Sequence, residues 1–276
     1  MIVMGNPPYS GISQNNGVWI TNLLVDYKKE PGGVLPLKER KIWLNDDYCK
    51  FIRLGQHYVD RNKEGILAYI CNNGFLDNPT FRGMRWHLLQ SFDKIYIINL
   101  HGNTMQKETA PDGGKDENVF DIMVGTSINI CVKTGKKKTG ELAEVYYTDQ
   151  YGLRKIKYEY LSQHSLANIE FNKLAIKEPF YFFVLKNEEG KEEYDKGFRV
   201  DNLMPMNVTG IVSARDRLVV DISKSDLLKR IQYFSDPNNS DNDVRASIFG
   251  YKKDGKYLAG DSRGWSLATA RKQIQN

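Results

Sequence analysis

Ile2-Val3-Met4-Gly5-Asn6-Pro7-Pro8-Tyr9 opens the chain with a short apolar run, a glycine and a turn stiffened by two prolines. The apolar residues predict the tip of a buried strand. Neither proline has an N–H to give to a sheet, and each fixes φ near about −65°, so the backbone must leave the strand at Asn6. Outward from there, helical and strand patterns alternate. Residues 17–29 and 39–61 have helical spacing, with Trp43, Phe51 and Leu54 among the apolar positions of the second. Ile66 to Cys71 is a continuous apolar run closed by Asn72-Asn73-Gly74, a pattern that predicts a buried strand and a turn. Thr80 to Phe92 reads as a helix and Lys94 to Leu100 as another buried strand. After a polar, glycine-bearing loop at 101–118, Thr126 to Lys133 alternates cleanly, and Leu142 to Thr148 is its expected hairpin partner. The expected fold class is α/β, a mostly parallel sheet with an antiparallel edge strand.

The character changes near residue 150, which sets a boundary between a first domain at 1–150 and a connector at 151–205, with a third region at 206–276. The connector is mixed and charged and carries the aromatic cluster Phe180-Tyr181-Phe182-Phe183. The third region offers a strand candidate at Leu218-Val219-Val220, a helix candidate from Ser225 to Phe234 and a polar loop at 235–243.

Composition limits the function classes. With 41% hydrophobic and 26% charged residues, the chain is ordinary for a globular protein. It holds no apolar run of about 18 residues, and its N-terminus lacks the pattern of a secretory signal, so no membrane association is expected and the cytoplasm is the expected location. Cys49, Cys71 and Cys131 are far apart, and His57, His87, His101 and His164 are equally scattered. That argues against a disulfide framework and against a metal site, and all seven read as packing or surface residues. The net charge of +5 is compatible with an anionic polymer as partner. Lys136-Lys137-Lys138 and the pair Arg215 and Arg217 are the basic clusters, although a lysine run is as readily a solvated turn.

The chemistry-bearing motif is Asn6-Pro7-Pro8-Tyr9. The amino nitrogen of adenine is a poor nucleophile because its lone pair is delocalised into the ring. The Asn6 amide oxygen and the Pro7 carbonyl can each accept a hydrogen bond from that NH2, localising the lone pair and aiming it at an electrophilic methyl group. Pro8 fixes the loop, and Tyr9 supplies an aromatic face on which an extruded base stacks, worth about 1–3 kcal/mol. The base must leave the duplex to reach such a loop. Transfer would be direct, with no cysteine nucleophile near the motif. The competing readings are a structural turn or an Asn-Pro-x-Tyr peptide ligand, which belongs on a flexible tail and not beside an apolar strand.

The sequence resembles the amino-methyltransferase region of the large single-chain restriction–modification enzymes, the type ISP and type IIG group. The likeness is carried by G-N-P-P-Y-S-G at 5–11, N-N-G-F-L-D-N-P-T-F-R-G-M-R at 72–85, N-L-H-G-N at 99–103, D-E-N-V-F-D-I at 116–122 and G-I-V-S-A-R-D at 210–216. It implies an adenine-specific DNA methyltransferase that uses S-adenosylmethionine and double-stranded DNA, built on the C-terminal half of a Rossmann-like class I methyltransferase sheet. It also implies that Phe120 stacks on the flipped base opposite Tyr9, and it matches Arg215-Asp216 to a pair of unassigned role, with phosphate contact one option for Arg215.

The same resemblance places a Gly-rich cofactor turn ahead of the Asn-Pro-Pro-Tyr loop, and this sequence contains no G-x-G. Only Asn6, at the edge of the pocket, is an expected cofactor contact, and the chain reads as an internal fragment that is inactive alone. On this reading 1–150 is the C-terminal half of a catalytic domain and 206–276 the start of a coupling or target-recognition region. The missing half would come from a longer chain or in trans. The alternatives are a non-catalytic DNA-binding or specificity fragment, and an exocyclic-cytosine enzyme.

Overall fold

The apolar run at 66–71 becomes the second strand of a six-stranded mixed sheet, in a computed structural model that describes residues 1–9, 13–39, 42–187, 189–205, 213–251, 256–262 and 264–275. The chain divides into two units, Met1–Glu189 and Gly190–Asn276. The first contains β1 (Ile2–Gly5), α1 (Val18–Leu24), α2 (Asp47–Asn62), β2 (Gly65–Asn72), α3 (Arg82–Ser91), β3 (Lys94–His101), β4 (Thr126–Lys133), β5 (Glu144–Asp149), α4 (Arg154–Gln163) and β6 (Asn172–Lys173). The strand order is β1-β2-β4-β3-β5-β6. β1 runs parallel to β2 and β5 parallel to β3, while β4 is antiparallel to both of its neighbours and β6 is antiparallel to β5.

One expectation is corrected here. Leu142–Thr148 is not the hairpin partner of Thr126–Lys133: β4 lies inside the sheet, antiparallel to β2 and β3, and β5 pairs with β3. Ser127 and Asn129, two of the polar residues that make β4 look half-solvated, are buried and satisfy each other. Asn129 Nδ2 donates to the Ser127 hydroxyl and carbonyl, both at 3.0 Å. The chain reaches β5 by passing the end of α3, where Lys137 Nζ donates to the carbonyls of Leu89, Gln90 and Phe92 at 2.7, 2.8 and 2.6 Å. One residue of the lysine run is therefore a helix cap.

β1 is also not a buried strand. Ile2 and Met4 are 73% and 80% exposed, because β1 ends the sheet among the described residues and only its Val3 side packs on the core. That packing is close: a Cβ on Gly55 of α2 would sit 2.4 Å from Leu67 and 3.3 Å from Val3. α2 buries Tyr48, Cys49, Ile52 and Val59, whereas the predicted apolar positions Phe51 and Trp43 are exposed, Trp43 within a 3₁₀ turn at Ile42–Asn45.

Helices α2 and α3 cover one face of the sheet through a core that includes Leu67, Cys71, Met84, Leu88, Ile95 and Ile97. On the other face Ile98, Leu100 and Val119 pack with Ile70, Phe120, Ile128 and Leu161 of α4. Residues 151–189 thus belong with the sheet, and Tyr181 and Phe183 of the aromatic cluster enter the first core.

The second unit is helical among its described residues: α5 (Lys191–Asp195), α6 (Val200–Leu203), α7 (Asp216–Val219), α8 (Lys224–Ser235), α9 (Asp241–Phe249) and α10 (Leu267–Gln275). Ser223 and Ser240 cap α8 and α9 by accepting from the N–H of Asp226 and Asp243. The strand expected at Leu218–Val220 is a helical turn instead. A short apolar run fits either form, and here one turn sends Leu218 alone into a core with Phe234, Val244 and Leu267, leaving Val219 and Val220 exposed. Among the described residues, no helix is long and apolar enough to cross a membrane.

Candidate functional site

Because β1, β2, β3 and β5 run the same way, their carboxyl ends at Gly5, Asn72, His101 and Asp149 lie along one edge of the sheet. Open α/β sheets place ligands beyond that edge. Asn6-Pro7-Pro8-Tyr9 leaves β1 there, with Pro7 buried, Asn6 and Pro8 exposed and Tyr9 half-buried. The Tyr9 hydroxyl lies 3.0 Å from Asn6 Oδ1 and 3.3 Å from the Ile70 carbonyl, within donating reach of both. It ties the loop to β2 and orients the amide. An amide oxygen has two lone pairs, so Asn6 Oδ1 can accept from Tyr9 and from one further donor. Burial raises the Tyr9 phenol well above its ordinary range, so the hydroxyl remains a donor even in alkaline solution.

The structure brings Phe120 to the same place. Its ring centroid is 6.2 Å from that of Tyr9, with the planes tilted by 53°. A base held between two rings needs parallel faces and two van der Waals gaps, about 7 Å in all. Entry of a base between them requires the rings to part slightly and turn.

The segment that carries Phe120 is gripped by α4. Four successive carbonyls each accept from a side chain of that helix: Glu117 from Lys157 (2.7 Å), Asn118 from Arg154 (2.7 Å), Val119 from Tyr158 (2.5 Å) and Phe120 from Arg154 (2.9 Å). Asn118 adds its own bonds, accepting from the Phe120 N–H at 2.9 Å and donating to the Gly102 and Val124 carbonyls. Beneath them Lys157 and Asp116 form an ion pair at 2.7 Å with both side chains fully buried. Asp116 also accepts from the N–H groups of Gly102 and Gly152. The segments 99–103 and 116–122, separate in sequence, are thus one piece of structure. Gly102 is needed at their contact: its φ is +81°, and a Cβ there would lie 2.4 Å from Asn118 Cα.

His101 shows what the sequence reading missed. It is not a plain packing residue. Its Nδ1 lies 2.6 Å from Glu108 and its Nε2 2.6 Å from Asp149, and the ring stacks on Tyr151 with centroids 3.8 Å apart. Burial disfavours its charge, but the hydrogen bonds to Asp149 and Glu108 outweigh that and raise its pKa. The network continues from Asp149 to Tyr147, to Asn99 (3.0 Å) and to Asn73 (3.0 Å). No spacing rule flags this, because the acidic partners lie seven and 48 positions away and Asp149 comes alongside only through the β3–β5 pairing. The three cysteines are buried free thiols, as expected. Among the described residues no His, Cys, Asp and Glu group is arranged to hold a metal ion.

Among the described residues, those at this edge do not form a pocket for S-adenosylmethionine. Glu108 and Asp149 are taken up by His101, Asn73 by Asn99, and β1 is followed by the proline loop and not by a Gly-rich turn. Asn6 remains the one expected cofactor contact, at a margin.

In the second unit, Arg215 and Asp216 do not pair with each other. The Arg215 guanidinium lies 4.2 Å over the Trp265 ring and donates to Ser262 at 2.6 Å, while Asp216 accepts from the Ser213 hydroxyl. Residues 10–12 and 206–212, which include parts of the likeness at 5–11 and 210–216, lie outside the described residues.

Comparison with known proteins bears first on this second unit. Residues 202–276 match the Type ISP C-terminal specificity domain. Comparison with curated proteins gives no match. Among solved structures, the chain is similar to the ATP-dependent Type ISP restriction-modification enzyme LlaBIII bound to DNA, with TM-score 0.59 and 24% identity over 86% of this chain and 17% of that one. A nuclease-deletion mutant of the Type ISP enzyme LlaGI, in complex with a DNA substrate mimic, gives TM-score 0.58 and 20% identity over 99% of this chain and 23% of that one. The DrdV–DNA complex gives 0.55 and 22% over 84% and 24%. At these identities the likeness establishes a shared fold, and the chain spans less than a quarter of the length of each of these proteins.

Proposed function

We propose that this chain contributes DNA site recognition to a restriction–modification enzyme of the Type ISP kind, with the recognition role in the second unit. The observation that carries this reading is the match of residues 202–276 to a specificity domain. Structures of similar fold are complexes with DNA, which supports the same partner. The distribution of charge agrees: residues 190–276 hold 15 lysines and arginines against 12 acidic residues, three of the chain's net +5.

A second reading, that the first unit is part of an adenine-specific DNA methyltransferase, is favoured by the geometry at Asn6–Tyr9. In it Asn6 Oδ1 and the Pro7 carbonyl accept from the exocyclic amine, and Tyr9 and Phe120 hold the base after it leaves the duplex. S-adenosylmethionine would supply the methyl group in the complete enzyme. An exocyclic-cytosine substrate fits the same two acceptors.

The two roles separate in one experiment. DNA affinity of the chain, measured by fluorescence anisotropy on duplexes, is expected to survive Asn6→Ala, because recognition is assigned to the second unit. Loss of affinity in that variant, with the fold intact, would move recognition to the proline loop and overturn the first reading.

A further inference from the structure

The sequence singles out Arg215 and Arg217 together, and the structure separates them. The described arginines of the helical unit whose roles are clear fall into two groups. Arg245 donates to the Ala259 carbonyl and pairs with Asp261 at 2.9 Å. Arg271 is 4% exposed and gathers the carbonyls of Phe234, Asp236 and Asn239 at 2.7, 2.7 and 2.8 Å. Arg215 is stacked on Trp265. These three tie loops to helices and are committed to the fold.

Arg217 and Arg230 differ in lining an open cleft, although Arg230, like Arg245, is paired with a carboxylate. Lys229, Tyr233 and Ser247 also line this cleft of about 550 Å³, formed by α7, α8 and α9. Arg217 donates one N–H to the Phe249 carbonyl at 3.1 Å, and Arg230 donates to the Val220 carbonyl at 3.0 Å and pairs with Asp221. A guanidinium carries five N–H donors, so each is oriented by the protein with donors to spare. The Lys229 side chain is 76% exposed, with Asp226 at 3.5 Å. Two guanidinium groups, an ammonium and two hydroxyl-bearing side chains, with Asp221 and Asp226 offsetting part of the charge, leave a donor-rich, net cationic surface suited to a phosphodiester.

We propose that this cleft binds a backbone phosphate of duplex DNA, with Arg217 and Arg230 as fork donors and Lys229 as a point charge. The inference rests on the reading of the second unit as DNA-recognising, and assigns Arg217 a contact that Arg215 does not make. A phosphate contact sets register and adds affinity without reading sequence.

The test is the salt dependence of binding by the full chain, followed by anisotropy on a mixed-sequence duplex. Arg217→Ala is expected to weaken binding about fivefold or more on every sequence and to lower the slope of log affinity against log salt by about 1. Arg217→Lys, which keeps the charge, is expected to restore most of the slope. Lys229→Glu, at an exposed position, is expected to weaken binding further, and it decides the question should Arg217→Ala lose its helical circular dichroism. An unaltered chain that binds DNA, beside variants with the same affinity and slope, overturns the phosphate assignment and leaves the DNA reading standing. An unaltered chain that binds no duplex at low salt overturns both.

Discussion

Replacing Lys157 with methionine removes the cation beneath the Phe120 segment. The Lys157 and Asp116 side chains are both 0% exposed and 2.7 Å apart, so the carboxylate left behind has no water to turn to. It would keep only the N–H groups of Gly102 and Gly152. The carbonyls of Leu100 and Glu117, which accept from Lys157 at 2.6 and 2.7 Å, would lose that donor too. Removing one partner of a buried pair costs about 3–5 kcal/mol. A large part of a domain's total of about 5–15 kcal/mol would go with it. The exposed pair Lys155–Glu159, 3.8 Å apart on the same helix, is the control, and Lys155→Ala is expected to cost well under about 1 kcal/mol. Urea denaturation followed by circular dichroism compares the two. A Lys157→Met loss no larger than that of Lys155→Ala would refute the reasoning, because it would mean the pair is hydrated or dispensable.

Gly102→Ala is expected to cost several kcal/mol, since φ is +81° and the new Cβ would meet Asn118 Cα at 2.4 Å; thermal melting reads it, and a change in Tm of under two degrees would contradict the contact. Arg154→Ala strips the donor from the Asn118 and Phe120 carbonyls, and faster amide hydrogen exchange across 118–121 is expected, with unchanged exchange counting against the clamp. For His101 the folded pKa is raised, so its stabilisation is complete below the ordinary imidazole value of 6.5 and is lost as pH rises through the folded value. Glu108 titrates the other way: burial opposes its charge, but hydrogen bonds from His101 and the Asn103 N–H lower its pKa, so its contribution is present above 4.5 and lost as pH falls. The cluster is therefore firmest between those two values, and an NMR titration that places the His101 midpoint below 6.5 would be inconsistent with it.

Much of the fold was legible because periodicity marks elements well. The runs at 66–71 and 94–100 are strands as read, and the helix at 80–92 differs only at its ends. Pairing was not legible. β4 alternates like an edge strand because Ser127 and Asn129 satisfy each other locally, a compensation that hydropathy does not register. The 218–220 run carried too few residues to separate a strand from a helical turn. At the candidate site Tyr9 lies beside both Asn6 and Phe120, residues its own segment and the loop at 116–122 bring separately, whereas the environment of His101 depends on a parallel pairing invisible in its own segment. Charge composition pointed at Arg215 and Arg217 alike, and only tertiary contacts show that Trp265 engages the first.

Selection of duplexes from a randomised library by the chain tests the proposed recognition role most directly. Sequencing of the retained DNA is expected to recover one short consensus, at a level unaffected by Asn6→Ala. Retention of DNA with no enriched sequence would contradict a specificity function for residues 202–276.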